Sequence, residues 1–138
     1  MLDKRKRYLA AILLALALAV QDANAGDVDI IAADFHADGQ GRWTVNVTLR
    51  HQDTDWEHYA DNWQVVDEKG KVLGDRVLFH PHINEQPFTR SLSGVQIPED
   101  TSVVYITAHD KKHGWTDNRL RVDLAKTKMG RLKVTSEQ

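Results

Sequence analysis

The residues best suited to chemistry are seven histidines: His36, His51, His58, His80, His82, His109 and His113. All of them fall within or beside segments that read as loops or strand ends. Loops at one end of a β-structure are distant in sequence but gathered in space, so they can bring several imidazoles around one metal ion. His80-Pro81-His82 is the tightest pair. In extended backbone, residues two apart point to the same side, and the proline holds the residue before it extended. The stretch Asp53-Thr54-Asp55-Trp56-Glu57-His58-Tyr59-Ala60-Asp61 is rich in carboxylates but lacks the spaced ligands and central glycine of an EF-hand. It reads as a solvated loop pinned to the end of the core by Trp56 and Tyr59. Glu85 and Arg90 read as an exposed ion pair at a loop end.

Other chemistries lack their residues. The chain has no cysteine, which excludes disulfides, thiolate zinc sites, thiol nucleophiles and a lipid-bearing cysteine. Ser91-Leu92-Ser93-Gly94 is not a nucleophile elbow, and no phosphate-cradling glycine loop or H-E-x-x-H helix is present. With 18 Lys+Arg against 20 Asp+Glu in 138 residues, the charge is close to balanced, and no basic field for nucleic acid exists.

The elements that must position these side chains read as strands. From Trp43 to Arg50, Trp43, Val45, Val47 and Leu49 alternate with Thr44, Asn46, Thr48 and Arg50, the pattern of a strand with one face on a core. Further strands are expected over Val28–Phe35, Asn62–Asp67, Val72–Phe79, Phe88–Leu92, Ser102–His109 and Arg119–Leu124, each bounded by Gly, Pro, Asn or Asp. Ala37-Asp38-Gly39-Gln40-Gly41 and Asp67-Glu68-Lys69-Gly70-Lys71 read as hairpin connections. About seven short strands and no amphipathic helix predict an all-β fold, an immunoglobulin-like antiparallel β-sandwich, with a small barrel as the alternative.

The first 25 residues read as a cleaved signal peptide, with charged Asp3-Lys4-Arg5-Lys6-Arg7, an apolar run from Tyr8 to Val20, and Ala23-Asn24-Ala25 at the cleavage site. The run is too short to span a bilayer. Export to the periplasm as a soluble protein, off the membrane once the signal is cleaved, is the expectation. Cleavage leaves 113 residues and a formal net charge of −4. The sandwich is expected over 26–125, followed by a basic segment, 126–138, that reads as a loose tail or a late edge strand.

Arranged along the chain, these features resemble the superoxide reductases, the neelaredoxin-type domain also found in desulfoferrodoxins. The resemblance is carried by His36, the turn Asp38-Gly39-Gln40-Gly41, the strand Trp43–Arg50, His51, His58-Tyr59, Trp63, the hairpin at Gly70, the strand from Ser102 to Ala108, and Asp110-Lys111-Lys112-His113-Gly114-Trp115. It implies an immunoglobulin-like sandwich and a metal site built from His51, His58 and His113, with His36 as a further ligand. The family places a cysteine thiolate where this chain has Asp110, and the spacing from His51 to His58 is one residue longer than the family's. A thiolate pushes electron density onto iron, so an oxygen ligand there makes a different centre.

Two functions are therefore expected. In the first, a single Fe, Cu or Zn ion is held by His51, His58 and His113, completed by His36, His80, His82, His109 or Asp110. In the second, the loops around Trp56, His80-Pro81-His82, Gln86-Pro87-Phe88 and Trp115 form a non-catalytic surface for another exported protein or a small ligand.

Overall fold

A computed structural model describes residues 27–137. The expected signal peptide lies outside the described residues. Nine strands form in chain order: β1 (Asp29–Ala37), β2 (Arg42–Arg50), β3 (Ala60–Asp67), β4 (Val72–Val77), β5 (Phe88–Gln96), β6 (Val103–Asp110), β7 (Gly114–Trp115), β8 (Leu120–Asp123) and β9 (Arg131–Thr135). A single 3-10 turn, Leu124–Lys126, follows β8. The described residues are thus all-β, in two antiparallel sheets. One runs β5-β2-β1-β9, the other β4-β3-β6-β7, with β8 also paired to β6.

The alternation in β2 has its expected result: Val45, Val47 and Leu49 are buried and Arg42 and Arg50 are exposed. In β1 a register irregularity between Ile30 and Ala32 places Ala32 and Ala33, neighbours in sequence, both in the interior. Inner-face residues of both sheets join one buried cluster. Phe35, Val47, Leu49 and Phe88 come from the first sheet, and Trp63, Val65, Val104 and Ile106 from the second. Each fully buried large apolar side chain contributes about 1.5–3 kcal/mol, which makes this cluster the main support of the strand ends that carry the histidines.

Several boundaries differ from the expected ones. β4 stops at Val77, leaving Leu78 buried under the sheet end and Phe79 74% exposed. β5 continues past Leu92 to Gln96 because its register against β2 recovers after a shift between Trp43 and Val45. The segment beyond residue 125 is part of the sheet: Arg131–Thr135 pairs with β1, and Leu132 and Val134 pack against the core. Two apolar residues in a basic stretch are a weak strand signal, and the pairing surface that uses them is nearly a hundred residues earlier in the chain.

The strand ends decide where the site can be. Register places Asp29 opposite Arg50, Leu49 opposite Phe88, Asn62 opposite Val77, and Ala60 opposite Asp110. The connections β2–β3, β4–β5 and β6–β7 therefore leave from one end of the molecule. Those three loops carry His51, His58, His80, His82 and His113.

Candidate metal centre

Asp110 is the last residue of β6 and its side chain is 1% exposed. The chain turns sharply after it and returns as β7, with Gly114 opposite Asp110. Gly114 takes a φ of 83°, a left-handed conformation open to glycine at little cost. The turn is closed by Asp110 itself, whose Oδ1 accepts the backbone N–H groups of Lys112 (2.6 Å) and His113 (3.0 Å). With Oδ1 fixed in this way, Oδ2 points at the loops. Three imidazoles meet it: His51 Nε2 at 2.6 Å, His58 Nε2 at 3.0 Å and His113 Nδ1 at 3.0 Å.

His51 is held from behind. Its Nδ1 donates to Asp53 Oδ1 at 2.5 Å, and both side chains are fully buried. Asp53 also accepts the backbone N–H of Ala60 at 3.0 Å and that of His82 at 2.7 Å. The His51 backbone N–H donates to the Gln86 side chain, which in turn donates to the His82 carbonyl. The β2–β3 and β4–β5 loops are thus tied together around one imidazole. His58 and His113 are partly exposed and border a cleft of about 750 Å³ whose lining includes Asp29, Arg50, Gln52, Ile83, Gln86 and Lys112.

The charges follow from these contacts. Burial raises the cost of ionising Asp110, but hydrogen bonds from His113, Lys112 and His51 outweigh it and hold the carboxyl well below the usual carboxylate range. Asp53 behaves alike: burial opposes ionisation, and hydrogen bonds from His51, His82 and Ala60 overcome it. For His51, burial lowers the pKa, yet the Asp53 and Asp110 carboxylates raise it overall. Burial, with the charge of Arg90, lowers that of His82.

One atom from each of His51, His58 and Asp110 lies within 4.8 Å of the others, a set able to hold a metal ion. Ligands bound cis to one ion through bonds of about 2.0–2.2 Å stand roughly 3 Å apart, which is the spacing of these three donors from Oδ2. Two imidazoles and a carboxylate, with a third imidazole beside them, suit a divalent transition metal, and a set with open positions suits non-haem iron or catalytic zinc. The carboxylate behind His51 supplies the outer hydrogen bond that metal-bound histidines generally make.

The other sequence candidates are placed as follows. His36 lies within β1 opposite Thr44, seven residues along the ladder from the Asp29–Arg50 pair, hence roughly 20 Å from the site end. It contacts Asp34 at 3.1 Å and does not reach the cluster, so the expectation of His36 as a ligand is corrected. His109 precedes Asp110 in a strand and points the other way, to Asp61 at 2.5 Å. His80 and His82 lie at the same end but outside the group around Asp110. His82 is buried and stacked on Phe88, with ring centres 4.0 Å apart.

The 53–61 segment also departs from expectation. Asp53 is no solvated loop residue but the buried anchor of His51, whereas Trp56 is 63% exposed and only Tyr59 is packed into the interior. The Asp53 backbone N–H donates to the His51 carbonyl at 2.9 Å, a tight three-residue turn that brings the two side chains together.

No family model matches the chain, and no solved structure matches it. A curated protein of Halomicrobium mukohataei, described as "Putative lipoprotein", is 38% identical over 106 residues, which cover 77% of this chain and 49% of that protein. The chain thus spans about half the length of the relative it matches.

Proposed function

We propose that this protein is an exported, immunoglobulin-like β-sandwich that holds a single transition-metal ion, Fe, Cu or Zn, through His51, His58 and Asp110, with His113 beside them. The convergence of three imidazole nitrogens on Asp110 Oδ2 carries the reading. Without a cation, His51 lies between two carboxylates and must carry a second proton to satisfy both. With one, its Nε2 lone pair faces the metal and its Nδ1–H keeps Asp53.

The two sheets and their shared core support the sandwich. The charged, apolar and small-residue sequence of 1–25 supports export, as does the lipoprotein description of the relative. Such an ion would face the cleft on the side of His58 and His113, leaving positions for a small ligand. That is the arrangement of a reactive or ligand-exchanging site and not of a closed structural one. The resemblance to superoxide reductases supports a redox role for the metal, with a carboxylate oxygen in place of the thiolate.

The test is metal content by mass spectrometry of protein purified from the native cell envelope, beside the His58→Ala variant. One equivalent of metal that the native protein holds and the variant lacks supports the reading. A metal-free native protein that also takes up no Fe, Cu or Zn on titration refutes it.

A second reading rests on Trp56, Phe79 and Ile83, which are 63%, 74% and 57% exposed on loops at the site end. Apolar side chains exposed there suit a non-catalytic binding surface for another exported protein.

A further inference from the structure

The β4–β5 loop holds an imidazole for which the metal centre above has no use. His82 is 4% exposed, and neither ring nitrogen has a hydrogen-bond partner among the described residues. Asp53 Oδ2 stands 3.8 Å from Nδ1, beyond hydrogen-bond reach, and is already taken by the His82 backbone N–H. A buried ring with no partner for either nitrogen is costly, and native proteins rarely leave one so. One face of the ring is covered by Phe88, at an interplanar angle of 10°. On another side stands His80, whose ring centre is 4.6 Å away and tilted by 42°.

We propose that His80 and His82 form a second cation site, separate from the centre at Asp110, for a divalent ion with affinity for imidazole such as Cu²⁺. Two imidazoles bound cis to one ion through bonds of about 2.0–2.1 Å hold their ring centres roughly 4.5–5 Å apart, which the observed pair already matches. The tilt leaves the two rings unstacked, as two ligands directed at a common ion must be. His80 is exposed, and its Nδ1 lies 3.1 Å from the Pro81 carbonyl, which leaves Nε2 available. Pro81 fixes the spacing between the two residues. Glu85 in the same loop is paired with Arg90. Asp53 separates the two sites: its Oδ1 faces His51 and its Oδ2 faces the His82 backbone, so a negative charge lies between the two cations.

The inference rests on the metal-centre reading only for the identity of the first site, and the variants separate the two. Full-length wild-type protein, His80→Gln, His82→Gln and His58→Ala are titrated with Cu²⁺ by calorimetry, and the copper is counted by electron paramagnetic resonance. The wild type is expected to bind a second equivalent with its own spectrum. His80→Gln is expected to lose that equivalent and keep the first, while His58→Ala loses the first and keeps the second. A wild type that binds no copper attributable to this loop, or a second equivalent that survives His80→Gln, overturns the proposal. His80 is exposed and its replacement leaves the core intact, so the result stands even if His82→Gln fails to fold.

Discussion

Asp53 and His51, two residues apart in the β2–β3 loop, face each other in the interior with His51 Nδ1 donating to Asp53 Oδ1. That bond sets which nitrogen of His51 is left for Asp110 and the cleft. It also depends on a carboxylate that three different segments hold in place: His51 itself, the start of β3 at Ala60, and the β4–β5 loop at His82.

Replacing Asp53 is therefore expected to weaken metal binding without removing a ligand. Asp53→Asn keeps one acceptor oxygen and is expected to lower affinity by about 10–100-fold. Asp53→Ala additionally strands two buried N–H groups and is expected to cost about 2–4 kcal/mol of stability. Competition with a chelator measures the first effect, and urea unfolding of the metal-free protein the second.

His58 and His51 should separate binding from folding. The His58 side chain is 21% exposed and that of His51 is fully buried. His58→Ala is expected to abolish metal binding at the Asp110 centre while lowering stability by less than about 1 kcal/mol. His51→Ala leaves two buried carboxylates facing each other without the imidazole and is expected to cost about 3–5 kcal/mol. His36→Ala, at the far end of β1, is expected to leave metal content unchanged. Metal analysis and thermal unfolding of the three variants check this.

The pH dependence of the metal-free protein follows from the directions of the shifts. His51 is raised above 6.5, so its contribution is full below that pH and is lost as pH rises through its folded value. His82 is lowered below 6.5, so its contribution is full above that pH and is lost as pH falls. Asp53 and Asp110 are lowered below 3.8, so theirs is present above that pH and is lost on further acidification. Stability is expected to peak near pH 6.5 and fall on both sides. Unfolding free energies across pH measure this, and His82→Gln should flatten the first part of the acid limb.

Asp110→Cys tests the ligand position by changing its chemistry. A thiolate at this position is expected to give iron-loaded protein a strong visible absorption that the wild type lacks, because sulfur donates electron density to iron. An iron-loaded variant with the wild-type spectrum would place residue 110 outside the coordination sphere.

Much of this arrangement was legible in the sequence. Strict alternation from Trp43 to Leu49 is a local pattern and needs no tertiary information to read. The expectation grouped His51, His58 and His113 through the order of elements along the chain, since their spacing alone does not specify a common point. His36 shared that order but lies in the ladder of β1, where seven residues of extended chain carry it away from the site. Asp53 was hidden because four carboxylates in nine residues read as a solvated loop, and burial of one of them depends on backbone amides from Ala60 and His82. The edge strand at Arg131–Thr135 was likewise set by its partner, not by its own weakly apolar sequence.

Crystals of the protein loaded with iron, copper or zinc, measured at that metal's absorption edge, test the central claim most directly. The account predicts an anomalous peak at the Asp110 centre, within about 2.0–2.3 Å of His51 Nε2, His58 Nε2 and an oxygen of Asp110, with His51 Nδ1 still bonded to Asp53. An ordered structure at full metal saturation with no anomalous density at that point, and Asp110 Oδ2 still hydrogen-bonded directly to the three imidazoles, would contradict it.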